Sequence, residues 1–247
     1  LTNDQGDVKL DWRPTDADTV SARYSKGVQD DPTVNSFPLT FGSFANSPFQ
    51  AGVVNWTRSF GSSIVNELRL GVNNVMIHNG GTDNGLGNVA DQLGIKNGNE
   101  RGPGLMQLQF TGSNFATNIG STSIGTSTMF ANTTYHYADN LTVIRGRHQM
   151  KMGGQVMRQQ MNTFYAGNTG RTGFLQYNGN FTRDQSNTAS KGLAEADFLL
   201  GTPVRIGRGT AGSVWGQRKY ILGFYFQDDW RATDELTLNL GLRWEWH

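Results

Sequence analysis

At 247 residues the chain is long enough for one large or two modest domains with a sizeable core. Its 32 glycines, 22 asparagines and 24 threonines argue against a helical bundle, because all three are poor in helix interiors, and the lack of cysteine excludes a disulfide scaffold or a cysteine-ligated metal. A formal net charge of +1 gives no electrostatic case for nucleic acid. Mean hydropathy is −0.49, and no stretch approaches the roughly 18 apolar residues of a membrane helix. A membrane β-barrel is not excluded by that, since only every second residue of its strands meets lipid.

The first element in chain order is a hairpin. Val8, Leu10 and Trp12 alternate with Lys9, Asp11 and Arg13, Pro14 to Asp18 turns the chain, and Val20, Ala22 and Tyr24 continue opposite Ser21 and Arg23. A second hairpin runs from Val54-Asn-Trp56 through Gly61-Ser-Ser63 into Leu68-Arg-Leu-Gly-Val72. A third takes Tyr135, Tyr137, Leu141 and Val143 through Arg145 to His148 into Met150, Met152 and Val156. Asp139 interrupts its apolar face, which predicts a bulge or a local register shift there.

The last hairpin has the clearest pattern. Tyr220, Leu222, Phe224 and Phe226 share one face; after the polar turn 231–235, Leu236, Leu238, Leu240, Leu242, Trp244 and Trp246 fall on one side with Thr237, Asn239, Gly241, Arg243 and Glu245 on the other. The turns inside the hairpins are short. The connections between hairpins, about residues 26–51, 74–131 and 165–216, are long and rich in Gly, Asn, Ser and Thr. Short turns at one rim and long loops at the other are the layout of an outer-membrane barrel. The expected fold is therefore all-β: an antiparallel transmembrane β-barrel, partial, of about 8–10 strands.

Gly223-Phe-Tyr-Phe-Gln-Asp-Asp-Trp230, then Leu236-Thr-Leu-Asn-Leu-Gly-Leu-Arg-Trp-Glu-Trp246, resembles the barrel of TonB-dependent receptors, most of all the Oar-like receptors with an N-terminal carboxypeptidase-regulatory-like domain. Asn66 to Val72, Asp139 to His148, Lys151-Met-Gly-Gly154 and Ala196 to Gly201 agree in order. The resemblance implies a bacterial outer-membrane transporter, not an enzyme. Its partners would be outer-membrane lipid, an unidentified extracellular ligand, and the TonB–ExbB–ExbD complex, reached through a plug. Residues 1–247 read as part of a single barrel domain, with no plug or TonB box among them. Leu1 and the alternation still running at His247 read as the ends of a fragment.

Arg69, Asp229, Arg243 and Glu245, opposite the apolar faces, are the expected lumen-facing residues. A membrane barrel also predicts that Trp56, Phe224, Leu238 and Leu240 lie exposed on the other side. No cofactor or metal site is expected. Gly85-Leu-Gly87-Asn-Val-Ala90 has the letters of a dinucleotide fingerprint but follows a loop, which predicts at most one helical turn at 89–93. No two of His78, His136, His148 and His247 sit at helical spacing for a metal. Glu195 and Asp197, two residues apart, read as caps of a short helix rather than an acid/base pair. Two other readings stay open: a complete small barrel acting as a pore or anchor, and a soluble all-β carbohydrate-binding or hydrolytic domain.

Overall fold

The structure, a computed structural model, describes residues 1–32, 37–113, 117–121, 128–167, 169–187, 189–210 and 214–247. In chain order its strands are β1 (Thr2–Thr15), β2 (Asp18–Asp31), β3 (Thr40–Phe41), β4 (Ser43–Phe60) and β5 (Ile64–Gly81). A short helix α1 (Val89–Gln92) precedes β6 (Gln107–Phe110), β7 (Gly120–Ser121), β8 (Thr128–Arg145), β9 (His148–Tyr165) and β10 (Phe174–Tyr177). Helix α2 (Ala194–Leu199), β11 (Arg205–Gly207), β12 (Trp215–Arg231) and β13 (Thr237–Trp246) complete it.

Eight long strands form one antiparallel sheet in the order β1-β2-β4-β5-β8-β9-β12-β13. These are the four hairpins laid side by side. Among the described residues β1 and β13 each keep one open edge, so the sheet is a wall and not a closed cylinder. The register carries the alternation across it. Leu10, Ala22, Val54, Leu70, Tyr137, Val156, Leu222 and Trp246 are successive cross-strand partners. One residue further, Asp11, Ser21, Asn55, Arg69, Ala138, Gln155, Gly223 and Glu245 are partners in turn. Adjacent residues of a strand point to opposite faces, so one face of the whole wall is apolar and the other polar.

Two expectations need correction. The register of β8 on β9 is unbroken from Thr128–Tyr165 to Arg145–His148, so Asp139 makes no bulge. Its carboxylate accepts a hydrogen bond from Asn66 Nδ2 at 2.7 Å, across the neighbouring strand. The register shift lies in the first hairpin, between Trp12 and Thr15, around Pro14, which has no N–H to give to the ladder. The strands also run further than the apolar alternation does. Strands β4, β5, β8 and β9 each have 18 residues, which shortens the connections that the sequence suggests.

The glycines of Lys151-Met-Gly-Gly154 fit the neighbouring strand. A Cβ on Gly153 would stand 2.7 Å from the Tyr225 ring, and one on Gly154 would stand 2.8 Å from the Phe224 ring. Consecutive aromatics of β12 thus lie over consecutive glycines of β9, one on each face, and pin the register.

No large apolar side chain of this wall is buried. Leu10 and Leu242 are 65% and 76% exposed, and Phe224 and Leu240 are exposed as expected. Trp56 and Leu238 are half-buried instead. Trp56 Nε1 donates to Asp18 at 2.9 Å, which draws the indole onto its neighbours, and Leu238 lies opposite Trp230 in the ladder. Among the described residues the buried apolar ones all belong to segments outside the wall. Met106, Leu108, Phe110, Tyr177 and Ala194 make one cluster; Phe41, Val89, Ala90 and Leu105 make another. They lie in a cap built from the long connections, with a three-stranded sheet β11-β10-β6 and the two-stranded pair β3-β7. Phe198 of α2 packs edge-on to Phe110 and Tyr177, at 5.5 and 5.4 Å between ring centres.

Candidate functional site

The polar face of the wall is the first candidate. Arg69 and Glu245 share one register row but stand four strands apart, about 19 Å at the usual strand spacing. Arg243 and Glu245 come together: Arg243 Nε donates to Glu245 Oε1 at 2.8 Å. Asp229 lies nearer the short turns, where it accepts from Gln227 Nε2 at 3.3 Å. Arg69 Nε donates to Asn55 Oδ1 at 2.9 Å, and Asn55 Nδ2 donates to Ser21 Oγ at 3.2 Å. The four expected residues therefore share a face but form no single cluster.

Further polar groups pair up on this face; the alternation gives their side of the wall but not their partners. Arg23 Nη2 meets Asp7 at 2.9 Å, Lys9 Nζ meets Asp11 at 2.8 Å, and His136 pairs with Gln155 at 3.2 Å. Tyr225 Oη donates to Asn140 Oδ1 at 2.8 Å over Gly153. The two exposed ion pairs among these, Arg23–Asp7 and Lys9–Asp11, contribute little stability. Their effect is to hold donors and acceptors of both signs on a surface that water can reach. Acid and base alternate along it, which suits polar contacts better than reaction chemistry. Among the described residues no group of three metal-ligating side chains converges.

The apolar face has polar groups only in particular places. Near the short turns, His148 Nδ1 and Asp228 Oδ2 are 2.7 Å apart and the His148 ring stacks on Trp230 at 5.4 Å. Arg58 reaches Asp18 at 3.5 Å and lies over the Phe60 ring. Aromatic and charged groups mixed at one level mark a membrane–water interface.

The cap is the third element. Asp83 is almost fully buried, and its Oδ2 accepts the Leu105 N–H at 2.8 Å. Gly81 and Gly104 sit against that carboxylate, where a Cβ on either would collide with it. Burial pushes the Asp83 carboxyl above the usual range, against the Leu105 amide and the Arg171 charge, which pull it down. Asp197 of α2 is fully buried and accepts from the Phe181 N–H at 3.3 Å, fastening the 178–183 segment to the helix. Neither it nor Glu195 caps α2, which starts without a side-chain cap; Glu195 instead bonds Ser113. Of the fingerprint-like glycines, Gly85 lies in a 3-10 turn, Asn84–Leu86, and Gly87 precedes α1, the one helical turn expected at 89–93.

The Asp83 arrangement has a pH consequence. A carboxyl whose folded-state pKa is raised contributes stability that is full below its ordinary, unfolded value and is lost as pH rises through the raised one. Protection of the Leu105 amide from hydrogen exchange, corrected for intrinsic rate, should fall from acidic to neutral pH. In Asp83→Asn the curve should be flat, because the amide oxygen still accepts but carries no charge.

An exposed apolar belt, a polar reverse face, short turns at one rim and a folded cap at the other describe a wall with lipid on one side. The family described as "Outer membrane beta barrel domain" matches residues 1–247. The chain belongs to that family. In an outer membrane barrel the apolar face meets lipid, the short turns are periplasmic and the longer loops extracellular. The open sheet is thus part of a barrel, located in the outer membrane.

Two solved structures share the fold. The outer membrane transporter YddB from Escherichia coli superposes on 99% of this chain with a TM-score of 0.54 at 12% identity. FpvA from P. aeruginosa, solved bound to an iron–pyoverdine complex, superposes on 98% with a TM-score of 0.52 at 14% identity. The chain spans only 27% and 30% of those two chains. No curated protein sequence matches it.

Proposed function

We propose that residues 1–247 are part of the barrel wall of a TonB-dependent outer-membrane transporter of the Oar-like kind. The observation that carries this reading is the chain's resemblance, over nearly its whole length, to the outer membrane transporter YddB and to FpvA in its iron–pyoverdine complex. The motifs from Asn66 to Trp246 support it independently. In this reading Arg69, Asp229, Arg243 and Glu245 face the lumen, and the cap takes part in capturing the ligand outside the cell. Transport is coupled to TonB–ExbB–ExbD through a plug, and no bond of the ligand is made or broken. The exposed acid–base pairs of the polar face suit a lumen whose contacts with plug and ligand must be made and released repeatedly.

The test is uptake by the full-length protein in cells with and without TonB. Radiolabelled ferric siderophores, cobalamin, oligosaccharides and peptides serve as probes. At least one should accumulate in a TonB-dependent way and fail to accumulate in the strain lacking TonB. Equal uptake in both strains would mean a passive pore, and the proposal would fall.

A further inference from the structure

The apolar face has a second polar level, far from the turns. Arg158 of β9 lies ten residues beyond His148, about 33 Å along a strand at 3.3 Å per residue. With a tilt of roughly 40° that is some 25 Å above the periplasmic girdle, the height of the lipid-facing band. Arg158 therefore sits at the outer membrane–water interface. Its neighbours fit that level: Tyr135 and Tyr220 are its cross-strand partners on either side. The Arg158 guanidinium lies over the Tyr220 ring, 5.7 Å from its centre.

A second guanidinium stands beside it. Gln160 pairs with Arg218, so Arg158 and Arg218 are diagonal neighbours on this face, about 7–8 Å apart at the backbone. Both are exposed and both are held in place. Gln160, with its amide oxygen turned toward Arg158, accepts from Nε and Nη2 at 3.2 Å. Arg218 Nη1 donates to the Met161 and Gln217 carbonyls at 3.1 and 2.8 Å, and Nη2 donates to Asn162 Oδ1 at 2.9 Å.

Neither charge is neutralised. Arg23, Arg58, Arg147, Arg208 and Arg243 each have a carboxylate partner. Among the described residues, Arg158 and Arg218 have none. On the same face of β8, β9 and β12, from this level to the loops, the sequence places no Asp or Glu; the nearest, Asp139, is two side-chain levels below Arg158 and bonded to Asn66. Each guanidinium keeps N–H donors that these contacts do not use. Two fixed cations, with spare donors in a planar fork, suit phosphate oxygens.

We propose that Arg158 and Arg218, with Tyr220, form a site on the outside of the barrel for the phosphate groups of an outer-leaflet glycolipid. The acyl chains of such a lipid would lie along the apolar belt below, over Val156 and Leu222. The site concerns the wall's seat in the membrane. It stands on the outer-membrane location and is independent of what the lumen transports.

The test uses the full-length protein purified from outer membranes in mild detergent, with bound lipid counted by native mass spectrometry. Diphosphorylated lipid A should bind at least tenfold more tightly than enzymatically dephosphorylated lipid A. In R158Q/R218Q that preference should disappear, while R243Q, on the opposite face, should keep it. Should the double variant fail to insert, the comparison of the two lipids on the unmodified protein reads the same claim. Equal binding of both lipids, an unchanged preference in R158Q/R218Q, or full displacement by millimolar inorganic phosphate would each overturn the proposal.

Discussion

Replacing Gly120 by valine is expected to take the cap apart while the eight-stranded wall stays in the membrane. Gly120 has φ +87°, a conformation that costs an ordinary residue about 1–2 kcal/mol. Space is the larger obstacle. A Cβ there would stand 1.9 Å from the Met106 carbonyl oxygen, and backbone cannot swing aside as a side chain can. Gly120 also ties β3 to the rest, since its N–H donates to the Leu39 carbonyl at 2.6 Å and Ser121 N–H donates to Leu105 O at 3.3 Å. Strain and overlap together should cost about 2–5 kcal/mol. Limited proteolysis of cells carrying the variant should yield new cleavages between residues 82 and 127, with the folded barrel still heat-modifiable on gels. An unchanged proteolytic pattern would show that this contact does not hold the cap.

The second large effect separates the two faces. Leu70 lies six residues beyond Ile64, about 15 Å above the turns on a strand tilted by roughly 40°. That is the middle of the lipid-facing band. Leu70→Arg should cost about 2–4 kcal/mol and sharply reduce the folded barrel recovered from outer membranes. Asn239→Arg, on the opposite face and directly across from Asp229, should leave the yield near normal. Equal tolerance of the two, or the reverse order, would contradict the assignment of the faces.

The four hairpins are legible because one side of each strand must be apolar to meet lipid, and period two follows from that. The alternation stops where lipid stops. Strand β5 continues beyond it with Asn73 and Asn74, polar residues in succession, so that 74–81, part of a connection by the sequence, is strand in the structure. The Asp139 bulge fails as an expectation for a related reason. The sequence shows a charge on the wrong face, but not that Asn66, 73 residues earlier, supplies its hydrogen bond.

The cap is hidden more deeply. Strand β6 pairs with β10 across more than sixty residues, and Asp83 finds its amide 22 residues away. No local period encodes such pairings. Within the polar face, the Arg243–Glu245 contact is readable from its spacing of two. The 19 Å that separates Arg69 from Glu245 depends on strand order and is not. The phosphate-binding candidates illustrate the same limit: Arg158 and Arg218 are sixty residues apart in sequence, and only the β9–β12 register makes them neighbours.

Among the described residues every buried apolar side chain lies in the cap, so the chain answers to two solvents. Water drives the cap together, so its cohesion should weaken with urea and change with temperature as any small hydrophobic core does. The wall is held by inter-strand hydrogen bonds that hydrocarbon cannot replace, and the lipid around it is as apolar as its own surface. Loosening one therefore need not loosen the other. Substitutions can thus accumulate in the cap over an unchanged wall, and in the transporter proposed above that would let the ligand change while the place in the membrane stays fixed.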